Sequence, residues 1–310
     1  MPHAWKGKLV VITGGTGFIG SHLAEELLSL GAKVRIPIRS ENYRALSKKR
    51  AEIEWIEGDL RDAVYCEELV RGVDHLFHLA SHRRNRDFHH DHCADVASGN
   101  VEMSLALIRA LKESPKTGVT FFSSANVPPE IDIITLAKEE ETDGYVLGKA
   151  IAEALWITAS RQHGFPLLIV RPVGAYGERD TFTADSNMIP SLMVKAEKAK
   201  AVLDVWGSGK QERVFLYAPD LIRAVLTLLE HQATGIQYVL PPEPHTVADV
   251  ARLIVLTVNP SLELSFDASK PEGKRSVATL PPHPALADFP WTSLERGLKL
   301  TYEGWKAKGK

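Results

Sequence analysis

Apolar positions along the first half of the chain keep two rhythms. Short apolar runs at Lys8–Ile12, Val34–Ile38, Ile53–Glu57, His75–Ala80, Val119–Ser123 and Leu167–Val170 predict buried strands. Between most of them the spacing is helical. Ile19, Leu23, Leu27 and Leu30 recur along one face, Glu25, Glu26 and Ser29 take other positions, and Gly31 marks the stop. Apolar strands alternating with helices predict an α/β fold with a doubly wound parallel sheet. Pro37 argues against an interior ladder position at the far end of the second strand, because it has no N–H to donate.

The pattern loosens farther along. Gly174–Asp185 reads as loop, 188–201 and 219–231 as helices, and Ile236–Leu240 as a strand, with Pro241-Pro242 and Pro281-Pro282 as punctuation. This predicts a first domain over residues 1–171 and a smaller α/β domain over 172–310, with residues 232–245 able to cross back to the first.

Composition narrows the function classes. The 310 residues are 44% hydrophobic and 25% charged with a net charge of -2, as in an ordinary globular protein. Basic residues form no concentrated stripe, which argues against nucleic acid as a partner. No apolar run approaches a bilayer span, so no membrane partner is expected. Cys66 and Cys93 offer neither metal spacing nor a disulfide framework. No metal is therefore expected, and a cytoplasmic location fits. Met1-Pro2-His3 leads almost directly into the first strand, so no signal peptide is expected. His89, His90 and His92 read as a polar helix face or loop.

The first strand runs into Thr13-Gly14-Gly15-Thr16-Gly17-Phe18-Ile19-Gly20, and a helix follows. Strand, glycine turn and helix together form the Rossmann fingerprint for a dinucleotide. Gly14 allows the sharp turn, Gly17 lets backbone approach a diphosphate, and Gly20 lets the helix pack on the sheet. Exposed N–H groups around Thr16, Phe18 and Ile19 favour the phosphate charge. No Gly-Lys-Ser/Thr follows, which disfavours a P-loop. At the end of the second strand, where an acid would bind ribose hydroxyls, stand Arg39 and Ser40. They suit a 2′-phosphate and favour NADP, with NAD as the alternative.

These residues, with further motifs in order, resemble the extended short-chain dehydrogenase/reductase family. Within it the chain is most similar to nucleotide-sugar epimerases, dehydratases and 4-ketoreductases. The motifs are Gly58-Asp59-Leu60-Arg61-Asp62, His78-Leu79-Ala80, Asn100, Ser123-Ser124, Tyr145-x-x-x-Lys149, Arg171-Pro172-Val173, the run Val205–Arg213, Lys270–Lys274 and Ser293–Leu298. Met188 through Tyr217 is most similar to the fucose-synthase branch, which reduces and epimerises GDP-4-keto-6-deoxy sugars with NADPH.

The resemblance implies roles. Asp59, with Leu60 beside it, would accept from the adenine amino group, and Leu79, Ala80, Pro172 and Val173 would line the cofactor. Tyr145 would donate or accept the proton at the reacting oxygen. Lys149, on the same helix face, would lower the phenol's pKa and hold the cofactor ribose. Ser124, chosen over Ser123 by that alignment, would orient the substrate oxygen. A nucleotide-diphosphate sugar would meet Arg213 as a phosphate clamp and Trp206 beside its base, where core packing is the other reading of Trp206. Lys195 and Lys274 would contact phosphate or base edge, and Asn126, Asn187, His82 and Arg83 the sugar.

Departures narrow the chemistry. Dehydratases carry an Asp-Glu pair where Ala125-Asn126 stands, which disfavours dehydration. Fucose synthases carry a cysteine and a histidine where Asn126 and Asn187 stand. Asparagine is no ordinary acid or base, so epimerisation at C3 or C5 is disfavoured. Thr16 replaces an arginine, Pro128 a tyrosine, and Gly148 a serine or threonine. The leading expectation is NADP-dependent reduction of a 4-keto nucleotide sugar. The alternatives are a C4 epimerase with firmly held NAD(P) and a non-catalytic dinucleotide sensor. A homodimer is expected through the helices bearing Val101, Leu105 and Ile108 and Ile151, Leu155 and Thr158, although those stripes also suit an internal core.

Overall fold

The computed structural model describes residues 4–40, 44–82, 86–130, 132–138, 142–270 and 281–308. In chain order the strands begin with β1 (Leu9–Thr13), β2 (Lys33–Ile38), β3 (Ile53–Glu57), β4 (His75–His78), β5 (Gly118–Phe122) and β6 (Leu167–Pro172). Then come β7 (Ala175–Tyr176), β8 (Val202–Trp206), β9 (Glu212–Arg213), β10 (Leu216–Tyr217), β11 (Gly235–Val239), β12 (His245–Thr246) and β13 (Glu263–Asp267). The helices are α1 (Phe18–Ser29), α2 (Ala63–Leu69), α3 (Arg86–Asp91), α4 (Cys93–Ala110), α5 (Ile133–Lys138) and α6 (Gly144–His163). They continue with α7 (Met188–Lys198), α8 (Ala218–Glu230), α9 (Val247–Val258) and α10 (Leu294–Lys308).

Seven strands form the main sheet in the order β11-β6-β5-β4-β1-β2-β3. β1 pairs in parallel with β2 and β4, and β2–β3, β4–β5 and β5–β6 are parallel too. The expected α/β, Rossmann-type doubly wound sheet is the one observed. From β1 the chain winds outward to β3, then returns to place β4 on the other side of β1. That reversal opens a crevice beyond the carboxyl ends of β1 and β4, the usual ligand position in such sheets.

The chain forms two compact units, Met1–Arg171 with Val225–Tyr238, and Pro172–Ala224 with Val239–Lys310. In unit 1, Leu76, Leu107, Phe121, Trp156, Phe165 and Ile169 form a continuous apolar core. Within that unit Arg171 is buried and donates to Glu153 through Nε (2.8 Å) and Nη2 (2.5 Å), while its Nη1 donates to the Tyr238 hydroxyl at 2.6 Å. A buried guanidinium is tolerated because both carboxylate oxygens meet it. His75 is half-buried: its Nε2 lies 2.8 Å from Thr120 Oγ1 and its ring meets Trp5 edge-on at 5.5 Å.

In unit 2, β8 pairs in parallel with β13, and β9 antiparallel with β12. Met193, Leu203, Val205, Val250, Ile254 and Leu298 build its core. Buried Asp220 accepts from Thr292 N at 2.6 Å and Thr292 Oγ1 at 3.0 Å.

Some local expectations change. β2 is interior in the strand order, yet its ladder with β1 stops at Arg35, so the missing Pro37 N–H takes nothing from that ladder. β4 ends at His78, and beyond it Thr13 Oγ1 accepts the N–H groups of Leu79 and Ala80 at 3.1 Å each. The stretch read as loop contains β7, a two-residue strand. α9 lies beyond the elements assigned from periodicity, though its start is written locally: Thr246 Oγ1 accepts from Asp249 N at 3.1 Å, an N-cap. No helix among the described residues is long and apolar enough to cross a membrane.

Candidate active site

The glycine turn is shaped by its neighbours. Gly14 has φ of 70°, and a Cβ there would lie 2.8 Å from Ala80 N. A Cβ on Gly20 would lie 2.2 Å from Gly14 O, so α1 packs on the turn only without a side chain there. Gly17 caps α1 without a side-chain bond, and the first helical turn carries no acidic residue. Helix geometry leaves the first N–H groups, including those of Phe18 and Ile19, without intrahelical acceptors. Neutral Thr16 lies within the turn. This donor set, free of competing negative charge, fits a dinucleotide diphosphate.

Arg39 and Ser40 are exposed just beyond β2. Near them, Asp59 is gripped by Arg61, whose Nε lies 3.0 Å from Oδ1 and whose Nη2 lies 2.6 Å from Oδ2. That hydrogen bonding holds the Asp59 carboxyl at about 2, with Arg39 adding a smaller charge effect. Asp59 therefore stays anionic, and each oxygen keeps lone pairs for another donor. Leu60 is buried beside it.

At the end of β4, His78 Nδ1 lies 2.8 Å from Thr13 Oγ1, and its Nε2 lies 3.3 Å from Ser104 Oγ. Burial pulls its pKa down to about 3, with Lys149 adding to the shift. Leu79 and Ala80 continue from it, half-buried. Asn100 then organises the next residues. Its Oδ1 accepts from Ser81 Oγ (2.8 Å) and His82 N (3.0 Å), while Nδ2 donates to Val96 O at 2.8 Å. Arg83 and Lys274 lie outside the described residues.

β5 delivers Ser123 and Ser124, both buried. Ser124 Oγ accepts from Asn126 N at 3.1 Å, and Asn126 is exposed. Ser123 Oγ is buried without a hydrogen-bond partner among the described residues. α6 is started by Asp143, whose Oδ1 accepts from Tyr145 N at 2.8 Å. One turn on, Lys149 is 2% exposed and its Nζ donates to Phe122 O at 2.7 Å. The ammonium stands 5.7 Å from the Tyr145 ring centroid. The fold thus brings Tyr145 and Lys149 to the carboxyl end of β5, where the two serines begin. α6 lies close against α4: a Cβ on Gly148 would be 3.0 Å from Ala97 Cα, so a serine or threonine there would press on backbone.

In the histidine cluster, His90 and His92 fit the expected polar helix face or loop, and His89 departs from it. His89 is 5% exposed, and its ring stacks on Tyr145 with centroids 5.6 Å apart and planes 16° from parallel. His90 is half-buried, with Nδ1 3.2 Å from Thr142 O, and His92 is exposed. The pairing of His89 with Tyr145 joins residues 56 apart in sequence through the fold of α3 over the start of α6. No local motif signals it.

Within unit 2, Pro172 is half-buried at the end of β6, and buried Val173 donates its N–H to Val239 O at 3.3 Å. Asn187 is exposed at the start of α7. Trp206 is 58% exposed, which removes the core-packing reading. Lys195 Nζ and Lys270 Nζ lie 5.3 Å and 5.8 Å from its ring. Arg213 sits on β9 opposite His245. Its Nε is buried without a hydrogen-bond partner among the described residues, and burial pushes the guanidinium pKa down.

The model of the NAD dependent epimerase/dehydratase family matches residues 10–240. The chain belongs to this family. Among its relatives, dTDP-4-dehydro-6-deoxy-D-allose reductase of Streptomyces sp is 28% identical over 96% of each chain. UDP-glucuronic acid decarboxylase 1 of Xenopus tropicalis is 25% identical over 95% of this chain and 71% of its own. Among solved structures, UDP-glucose 4-epimerase of Thermotoga maritima has a TM-score of 0.81 at 21% identity, covering 97% of this chain and 100% of that one. The Bordetella bronchiseptica enzyme WbmF, in complex with NAD+ and UDP, has a TM-score of 0.80 at 23% identity, covering 98% and 94%. The two structures share the fold.

As a member of the NAD dependent epimerase/dehydratase family, this chain carries its glycine turn at the family's strand-to-helix junction, and the uncapped α1 start fits the dinucleotide the family uses. Tyr145 and Lys149 are titratable groups near the end of β5, with the exposed amide Asn126 nearby in sequence.

Proposed function

We propose that this chain is an NADP-dependent reductase of a 4-keto nucleotide sugar. The observation that carries the reading is Tyr145 with Lys149 at the end of β5, without a carboxylate in the following Ala125-Asn126. The dinucleotide, when bound, supplies hydride to C4. Tyr145 gives its phenolic proton to the C4 oxygen, so ketone becomes alcohol as NADPH becomes NADP+. Lys149 stabilises the phenolate left behind and is oriented by Phe122 O. Ser124 donates to the substrate oxygen and polarises the carbonyl. Gly14, Thr16, Gly17, Phe18, Ile19 and Gly20 hold the diphosphate, Arg39 and Ser40 the 2′-phosphate, and Asp59 the adenine amine.

Arg213 clamps the substrate diphosphate, because its buried Nε is a donor without a hydrogen-bond partner among the described residues. Trp206 with Lys195 receives the base. The similarity to a dTDP-sugar reductase supports the reaction class and makes dTDP a second nucleotide to test beside GDP. Dimerisation follows the same reading, through half-buried Val101, Leu105, Ile151 and Leu155 on α4 and α6. Sedimentation at several concentrations tests it, and a persistent monomer counts against it.

The test is NADPH consumption followed with dTDP- and GDP-4-keto-6-deoxy sugars. Stoichiometric oxidation with formation of the 4-hydroxy sugar supports reduction. Tightly held dinucleotide with no net oxidation rules it out. Epimerisation at C4 uses the same three residues and needs no added acid or base. Isomerised product without added cofactor would establish that second reading.

A further inference from the structure

We propose that His89 is a positioning residue for Tyr145, holding the phenol ring in its reactive orientation by face-to-face packing. This rests on the reading of Tyr145 as proton donor.

The observations come from three elements of unit 1. His89 on α3 is 5% exposed although it sits among other histidines near the surface. Its ring lies nearly parallel to the Tyr145 ring, at 16° and 5.6 Å between centroids. An offset arrangement of this kind is the favoured geometry for two flat rings. Asp143 fixes both partners. Its Oδ1 accepts the Tyr145 N–H at 2.8 Å and also lies 3.4 Å from His89 Nδ1. The junction beneath is tight: a Cβ on Gly144 would lie 2.3 Å from Cys93 O, so the start of α6 is held against the start of α4. Lys149 Nζ lies 5.7 Å from the centroid of the same ring. The stack of His89 thus limits rotation of the Tyr145 ring about χ1 and χ2. A proton donor must meet the substrate oxygen within hydrogen-bond reach, so that restriction bears on kcat rather than on binding.

The position separates flat-ring packing from simple space filling. His89→Phe keeps a flat ring and loses the Asp143 contact. His89→Leu fills similar volume without a flat face. Purified full-length variants are compared in NADPH oxidation with a dTDP-4-keto-6-deoxy sugar, together with Tyr145→Phe and the Tyr145→Phe/His89→Leu double variant. Cofactor Kd and thermal unfolding are measured on each. We expect His89→Leu to lose kcat on the order of tenfold with KM and cofactor Kd within about twofold, and His89→Phe to recover most of it. In the Tyr145→Phe background the leucine change adds no further loss, because the residue it acts through is already disabled.

Equal kcat in His89→Leu and wild type overturns the inference, as do equal losses in the Leu and Phe variants. A loss confined to KM, or one that persists in full beside Tyr145→Phe, overturns it too. Full activity of Tyr145→Phe itself would instead remove the proton-donor reading on which it rests.

Discussion

His78, Lys149 and Tyr145, near the strand ends of unit 1, are tied to named partners, whereas Trp206 and Arg213 in unit 2 stand more open. His78 is held between Thr13 and Ser104, Lys149 by Phe122 O, and Tyr145 between its Asp143 cap and the His89 ring. In unit 2, Trp206 presents an exposed ring flanked by two lysines, and Arg213 buries an Nε without a hydrogen-bond partner among the described residues. A group that must perform chemistry benefits from fixed geometry, because misplacement costs rate directly. A group that waits for a charged ligand keeps unmet donors, at a cost in stability that binding relieves.

The largest effect that separates the two regions is expected at Tyr145. Tyr145→Phe should lower kcat on the order of a hundredfold to ten-thousandfold while leaving cofactor affinity within about twofold. Steady-state rates alongside dinucleotide titration check this. A variant with near-normal kcat would mean that the ordered region is structural.

Acid should probe the tied-down region next. Burial pulls the pKa values of His75 and His78 from 6.5 to about 3. Between these limits the unfolded chain binds protons that the native chain refuses, so stability is full above pH 6.5 and falls as pH drops toward 3. At pH 5 the loss should be about 2 kcal/mol for the buried His78 and less for the half-buried His75. Asp59, held near 2, titrates below that window. Urea midpoints at pH 7 and pH 5 measure the slope, and His78→Gln should flatten it by the share of one ring. A midpoint unchanged across this interval would contradict the neutral rings.

Unit 2 should respond in the opposite sense. Arg213→Gln removes a half-buried charge whose Nε has no hydrogen-bond partner among the described residues, so thermal stability should hold or rise slightly. Nucleotide-sugar affinity should fall by roughly ten- to a hundredfold, the worth of a charge-assisted hydrogen bond. Calorimetric titration and a melting curve on one preparation give both numbers. A destabilised variant with normal affinity would assign Arg213 to the fold.

The smallest effect concerns an exposed residue of unit 1. Arg39→Ala should weaken NADPH more than NADH, by about tenfold, because a solvent-exposed charge pair is partly screened and Thr16 adds no second cation. Fluorescence titration of both cofactors decides it. Equal weakening would place Arg39 outside the 2′-phosphate contact and favour NAD.

Much of the architecture was legible because its signals are local. Strand-length apolar runs, helical spacing and the glycine turn need no knowledge of distant residues, and the turn's glycines stand where Ala80 and α1 leave no room for a Cβ. The Tyr145–Lys149 spacing is equally local: four residues on a helix share a face. His89 was misread because burial belongs to the folded chain. His89, His90 and His92 look alike in the sequence, yet the stack on Tyr145 selects the first and solvent takes the last. Trp206 shows the converse, a large apolar ring left outside the core.

The order of residues by itself determined the alternation of strand and helix, the dinucleotide turn and the pair of groups able to move a proton, since each depends on contacts within a few residues. Tertiary structure alone decided that β11 closes the edge beside β6, that Asn100 shapes the segment after β4, and that His89 faces Tyr145. Those outcomes join segments tens of residues apart. They arise from packing and hydrogen-bond satisfaction across the whole unit, which no short window of sequence contains.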